Sequence, residues 1–239
     1  MLRTFTLSLL GLLATSTLHG QDAHFGVKAG LNASIYQGKH GSSPRLHLGS
    51  AAGVLVRLPL GKHLDLQPEL LYEQRGARTE QTADGPYEYY SHDVRWHEQT
   101  KSRLQYVALP VLARVHGGKF FAEAGPQLSY LVGAQHQVTA KIEDIFLEDP
   151  LYNPLSFPAS TLTFQRRGTH AYNRWELGYV LGLGYQATAR LGVELRYAAG
   201  LTPAKRQFAY ATIYPAPIQS ERTRANTLQA QVSYQLGKL

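Results

Sequence analysis

Leu191 to Leu201 reads LGVELRYAAGL, with a carboxylate, Glu194, and a guanidinium, Arg196, two positions apart in an otherwise apolar run. In an extended chain successive side chains point to opposite faces. Leu191, Val193, Leu195, Tyr197, Ala199 and Leu201 therefore share one face, and Gly192, Glu194, Arg196, Ala198 and Gly200 the other. Two charges cannot occupy the dry side of a half-buried strand without strong compensation. The fold turns on which face such a strand encloses and which it leaves outside.

The same period-two pattern recurs along the chain. It appears in FGVKAGLNASI (25–35), LGSAAGVLVRL (48–58), LDLQPELLYEQR (64–75), FFAEAGPQLSYLV (120–132), RWELGYVLGLGYQ (174–186) and TLQAQVSYQL (227–236). RLQYVALPVLARV (103–115) is apolar on both faces apart from Arg103, Gln105 and Arg114, so its orientation is ambiguous. With LGVELRYAAGL these runs make eight strands. Hairpin-sized connections at Pro59–His63, Gly117–Lys119 and Ala187–Arg190 alternate with long polar ones at 37–45, 77–101, 138–171 and 203–222. All short turns then lie at one end, together with both termini. The expectation is an all-β, eight-stranded antiparallel up-and-down transmembrane β-barrel.

A soluble ligand-binding barrel shares this connectivity but inverts its faces, with the apolar side lining a cavity. Three features favour the membrane form. Tyr72, Tyr130, Trp175, Tyr185 and Tyr234 stand near strand ends on the apolar faces, where an interface suits an apolar ring with a polar tip. The polar faces are rich in glycine and mix both charge signs. The runs also reach the roughly 9–11 residues that a tilted crossing needs. The lumen is then expected to receive Lys28, Arg57, Arg75, Arg114 and Arg196 as cations, with Asp65, Glu69, Glu73, Glu123, Glu176 and Glu194 as anions. Near-equal counts of opposite sign predict an internal salt-bridge network, structural filling rather than a catalytic set.

Residues 1–20, MLRTFTLSLLGLLATSTLHG, have one arginine, a short apolar core and a small, polar tail. That is the layout of a secretory signal, too short to span a bilayer as a helix. Residues 21–239 are read as a single barrel domain. The 239 residues contain no cysteine, which excludes disulfide scaffolds, thiolate metal sites, cysteine nucleophiles and lipoprotein anchoring. The net charge of +7 is dispersed rather than clustered, which argues against a nucleic-acid partner.

FGVKAGLNAS, LQPELLYEQRGA, LQYVALPVLARV, FFAEAGPQLSYLVG, LGYVLGLGY and LGVELRYAAGLT resemble, in order, the motifs of the outer-membrane β-barrel family abundant in Bacteroidetes, which includes the PorT-like proteins. The resemblance runs from Phe25 to the C-terminus. It implies an eight-stranded barrel in the outer membrane, without a defined biochemical activity in most members and with a part in protein secretion in a few.

Neither GxSxG nor HExxH occurs, and Gly182-Leu183-Gly184 falls within a strand rather than in a phosphate-binding loop. The one polar constellation is HDVRWHE, with His92, Asp93, His97 and Glu98. Its spacing matches no established ligand pattern. It is the alternative basis for a barrel enzyme acting through His92, Asp93 and His97. No cofactor is implied. The expected partners are outer-membrane lipid around the barrel and a protein at the aromatic, proline-bearing long loops. The first of those loops, 77–101, can equally be read as strands three and four continuing beyond the membrane.

Overall fold

The computed structural model describes residues 23–37, 43–86, 93–144, 160–170, 172–203 and 224–238. Regular structure among them is all β. The strands are β1 (His24–Gln37), β2 (Ser43–Arg45), β3 (His47–Pro59), β4 (Leu64–Pro86), β5 (Asp93–Gly117), β6 (Phe120–Asp144), β7 (Ser160–Arg167), β8 (Trp175–Gln186), β9 (Leu191–Gly200) and β10 (Arg224–Lys238). Short β2 and long β3 pair with successive stretches of β4, and β7 and β8 with successive stretches of β6. The ten segments thus form eight strand lines. Every pairing is antiparallel, and the β4–β5 ladder joins the two ends of the sheet into a ring. Closure leaves the main-chain groups of the barrel wall paired on both sides.

The hairpins at one end follow from local chemistry. Gly118 has φ +64°, a backbone that two-residue hairpins take at their first central position and that only glycine adopts freely. At this end β1 and β10 also meet, with His24 opposite Lys238.

Strands β4 and β5 are longer than their hydrophobic pattern indicates. Ala77–Pro86 pairs with Asp93–Ser102, and β6 continues to Asp144 with β7 alongside from Gln135 to Ile142. Most of 77–101 is therefore paired sheet, the continuation of strands three and four, and 138–144 and 160–167 are paired as well, which corrects their reading as connections. This extension is richer in polar residues, so the hydrophobic signal weakens although hydrogen bonding persists. Residues 38–42, 87–92, 145–159 and 204–223 lie outside the described residues, as does the 1–20 segment.

One irregularity resets the pattern. Tyr106 pairs with Leu131 while Gln105 pairs with Gly133, so Val132 is an extra residue on β6. This bulge switches the parity of the strand: Leu131 and Ala134 are both buried, and Val132 between them is exposed.

The two faces of the wall differ as sharply as the sequence pattern. Outside lie Leu70, Leu128, Leu177, Leu181, Leu183, Val193, Leu195, Leu228 and Val232, with Leu183 68% exposed. Two ring pairs bracket this belt on neighbouring strands: Tyr130 with Trp175, centroids 4.7 Å apart, and Phe120 with Tyr185, at 5.1 Å. Ten residues of β6 separate Phe120 from Tyr130. At ~3.3 Å per residue and a tilt of ~40° they span a height of about 25 Å, the thickness of the apolar band of a barrel in a membrane. Strand β5 resolves its ambiguity by burying Leu104, Tyr106, Ala108 and Leu112 while Leu109, Val111 and Val115 face outward.

Gly118→Val places a β-branched side chain on a left-handed backbone and is expected to lower unfolding stability by about 1–2 kcal/mol. Gly61→Val, where an added Cβ meets nothing within 4 Å, is the matched control. Urea midpoints of the detergent-folded protein, read by tryptophan fluorescence, check the difference.

Candidate functional site

Alternation places one polar residue in two on the enclosed face, and the small circumference of eight strands brings those side chains into contact across the interior. Lys28, Arg57, Asp65, Glu69, Glu73, Arg75, Arg114, Glu123, Glu176, Glu194 and Arg196 are each no more than 9% exposed. They are brought together in three groups along the barrel axis.

At the centre, the Arg196 guanidinium from β9 reaches Glu69 on β4 in a bidentate pair, donating from Nη1 at 2.8 Å and from Nη2 at 2.7 Å. Its Nε faces Glu123 of β6 and Glu194 of its own strand, the latter at 3.1 Å. Lys28 of β1 closes the cluster, 2.7 Å from Glu69 and 2.5 Å from Glu194. A planar fork with five donors suits this position, since it serves carboxylates from several strands at once. Space for it comes from Gly182, where a Cβ would lie 2.8 Å from Glu123 Oε1 and 3.0 Å from Arg196 Cγ.

Towards the end with the long strands, Arg75 donates to Glu73 at 2.9 Å from Nε and to Glu176 at 2.8 Å from Nη1. The Arg75 guanidinium also lies 5.0 Å from the Tyr106 ring centroid. Gln229 donates to Glu73 at 3.0 Å and accepts from Gln231 at 3.2 Å, which extends the network onto β10. The cavity beside Arg75, Gln127, Ser129 and Glu176 measures about 10 Å³, room for about one water. Apolar groups share the interior: Leu104, Tyr106, Leu131, Ala134, Tyr172 and Ala225 form one buried cluster and Leu112, Val180 and Ala198 another.

Towards the short turns, Gln67 accepts from Arg57 Nε at 3.1 Å and from Arg114 Nη1 at 3.3 Å, and donates to Glu69 at 2.6 Å. This amide joins the third group to the central one. Asp65 lies 3.9 Å from Arg57 and 3.4 Å from His116. Gln67, Gln229, Gln231 and Ser129 are buried members that a reading confined to charged residues misses; their strand parity is the signal that points to them.

The HDVRWHE stretch is arranged differently. His92 lies outside the described residues. Asp93 and His97 stand four positions apart on β5, about 13 Å at the rise of a strand. His97 is exposed, and its Nδ1 is 2.9 Å from the Thr82 hydroxyl on the paired strand. Among the described residues no three His, Asp or Glu side chains are grouped so as to hold a metal ion.

Residues 17–206 match the family model described as outer membrane protein beta-barrel domain. Among solved structures, the chain is similar to Neisserial surface protein A (14% identity, 90% of this chain and 99% of that chain, TM-score 0.38). It is also similar to Ail, the attachment invasion locus protein of Yersinia pestis (8% identity, 90% and 99% covered, TM-score 0.39). A third likeness is to CarO2 of Acinetobacter baumannii (13% identity, 88% and 99% covered, TM-score 0.36). No curated protein matches the chain.

Removing one partner of a buried ion pair leaves the others uncompensated. Arg196→Met takes the paired cation from Glu123, leaves Glu69 and Glu194 to share Lys28, and is expected to lower stability by roughly 3–5 kcal/mol. Adding Glu69→Gln to that variant is expected to recover part of the loss. Urea unfolding of the three proteins, with the boiled and unboiled gel mobility of each, measures both effects.

Proposed function

The chain belongs to the outer membrane protein β-barrel domain family, and we propose that within the outer membrane it serves as a closed, non-enzymatic barrel that presents an extended sheet at the cell surface for binding or assembly. The observation that carries this reading is the pair of aromatic contacts bracketing an apolar belt about 25 Å high, with an ion-paired interior behind it. Lipid covers the belt. The interior groups are engaged with one another rather than arranged as a nucleophile with its base. A lumen filled by Arg196, Glu69, Glu123 and their neighbours supports the absence of conduction.

Strands β4, β5, β6 and β7 continue past the level of Tyr130 and Trp175, so the sheet stands clear of the bilayer. It carries His97, Lys101, Leu162 and Phe164 on exposed positions, a mixed surface suited to a protein partner. Export through a signal peptide at residues 1–20 and a closer kinship with the PorT-like barrels of Bacteroidetes are parts of the same proposal. So is the orientation, with short turns in the periplasm and the extended sheet outside.

Because the chain has no cysteine, single replacements report topology without background. Lys101→Cys on the extended sheet is expected to react with a membrane-impermeant maleimide on intact cells, and Lys62→Cys in the β3–β4 turn only after the outer membrane is opened. The opposite pattern overturns the orientation. In planar bilayers the purified barrel is expected to be electrically silent; stable unitary conductance contradicts the closed lumen.

A further inference from the structure

The group at the short-turn end differs from the two above it in charge and in packing. At the centre, Glu69, Glu123 and Glu194 face Lys28 and Arg196; above them, Glu73 and Glu176 face Arg75. Carboxylates outnumber cations in both. At the mouth the balance reverses. A cavity of about 320 Å³ opens there, lined among others by Arg57, Arg114, Lys119, His24 and His116, with Asp65 the one carboxylate of its lining among the described residues.

Asp65 is one carboxylate between two guanidinium groups, opposite Arg114 in the β4–β5 ladder. Its contact with Arg57 is 3.9 Å long, and its other near neighbour is His116. Arg57 is 9% exposed and Arg114 2%, yet Arg57 Nη2 and Arg114 Nε have no hydrogen-bond partner among the described residues. Other donors are held by neutral amides: Arg57 Nε and Arg114 Nη1 on Gln67, and Arg114 Nη2 on Gln186 at 3.0 Å, while Gln235 can accept from Arg57 Nη1 once its amide is turned over. Neutral acceptors hold the two planar groups directly, with Glu123 the carboxylate opposite Arg114 on β6. Phe121 adds to this, since the Arg114 guanidinium stacks 3.3 Å from its ring centroid. Buried donors left unsatisfied cost stability unless something occupies them. Like charges held side by side raise that cost, and an anion placed between them relieves it.

We propose that this mouth is a binding site for a small soluble oxyanion, a phosphate or carboxylate group on a compact body, seated on Arg57 and Arg114. Guanidinium forks match the geometry of either group. The volume falls at the lower end of the range for small-molecule sites and exceeds what an inorganic ion fills, so the anionic group is carried on a compact body. Lys119 and the two imidazoles stand at the rim as further donors. The placement on the periplasmic side rests on the orientation proposed above; the site itself does not.

The test is calorimetric titration of the full detergent-folded barrel with inorganic phosphate, phenyl phosphate and benzoate, with chloride as the reference anion. Saturable binding of phenyl phosphate or benzoate is expected, stronger than that of chloride. Arg57→Gln or Arg114→Gln is expected to weaken it by about tenfold or more, the loss of one charge-assisted hydrogen bond. Lys101→Gln at the far end is expected to leave it unchanged. Binding of phenyl phosphate alone identifies a phosphate ligand, and of benzoate alone a carboxylate. Should an arginine variant fail to fold, arginine Nε–H resonances of the wild-type protein locate the ligand directly, with Arg57 and Arg114 shifting during the titration. No saturable binding, equal affinity in folded variants, or shifts that bypass both arginines overturns the proposal.

Discussion

The bidentate contact between Arg196 and Glu69 joins strands on opposite parts of the ring, and the rest of the interior is arranged around it. A membrane barrel must turn one face of every strand away from water that can solvate charge. Ionised groups on that face are stabilised by the opposite charges placed beside them. Arg196 does this by serving carboxylates on β4, β6 and β9 at once, while Lys28 supplies the second cation. Small residues on the same face are a consequence. Gly182 leaves the volume that the guanidinium and Glu123 occupy.

The outer surface answers to a different solvent. Its apolar residues lie on the outside of the ring and do not form a cavity lining, which is what a soluble barrel requires of them. The tilted-ring pairs Tyr130–Trp175 and Phe120–Tyr185 mark the belt's two edges on the same pair of strands. Beyond one edge β4, β5, β6 and β7 carry on furthest as sheet, with β2 alongside β4. Beyond the other it ends in tight turns around a cationic mouth. The molecule is thus asymmetric along its axis in shape and in charge.

Much of this was legible in the sequence, because the side-chain period of a strand survives any tilt. The parity of β8, β9 and β10 reads directly from RWELGYVLGLGYQ, LGVELRYAAGL and TLQAQVSYQL, and the tight turns identify the hairpins. Other features were hidden for physical reasons. Strand β5 buries Leu104 and Leu112 while exposing Leu109 and Val111, so its two faces cannot be told apart by hydrophobicity. The ends of β4, β5 and β6 are richer in polar residues, which weakens the hydrophobic signal there. The bulge at Val132 switches parity without a composition signal. For the interior, parity groups residues on a face but does not say which carboxylate meets which cation. That depends on strand register and on the stagger of the ring, and the bridging amides of Gln67 and Gln229 are equally silent in sequence.

The account's central claim is that the apolar face looks outward into lipid and the charged face inward. The direct measurement is methyl NMR of the wild-type barrel in nanodiscs containing a small fraction of lipid with a nitroxide on its acyl chain. The methyl groups of Leu181, Leu183, Val193 and Leu195 are predicted to broaden strongly, and those of Leu55, Leu71, Leu112 and Val180 to remain sharp. Broadening of the second set with sparing of the first, or equal broadening of both, contradicts the account.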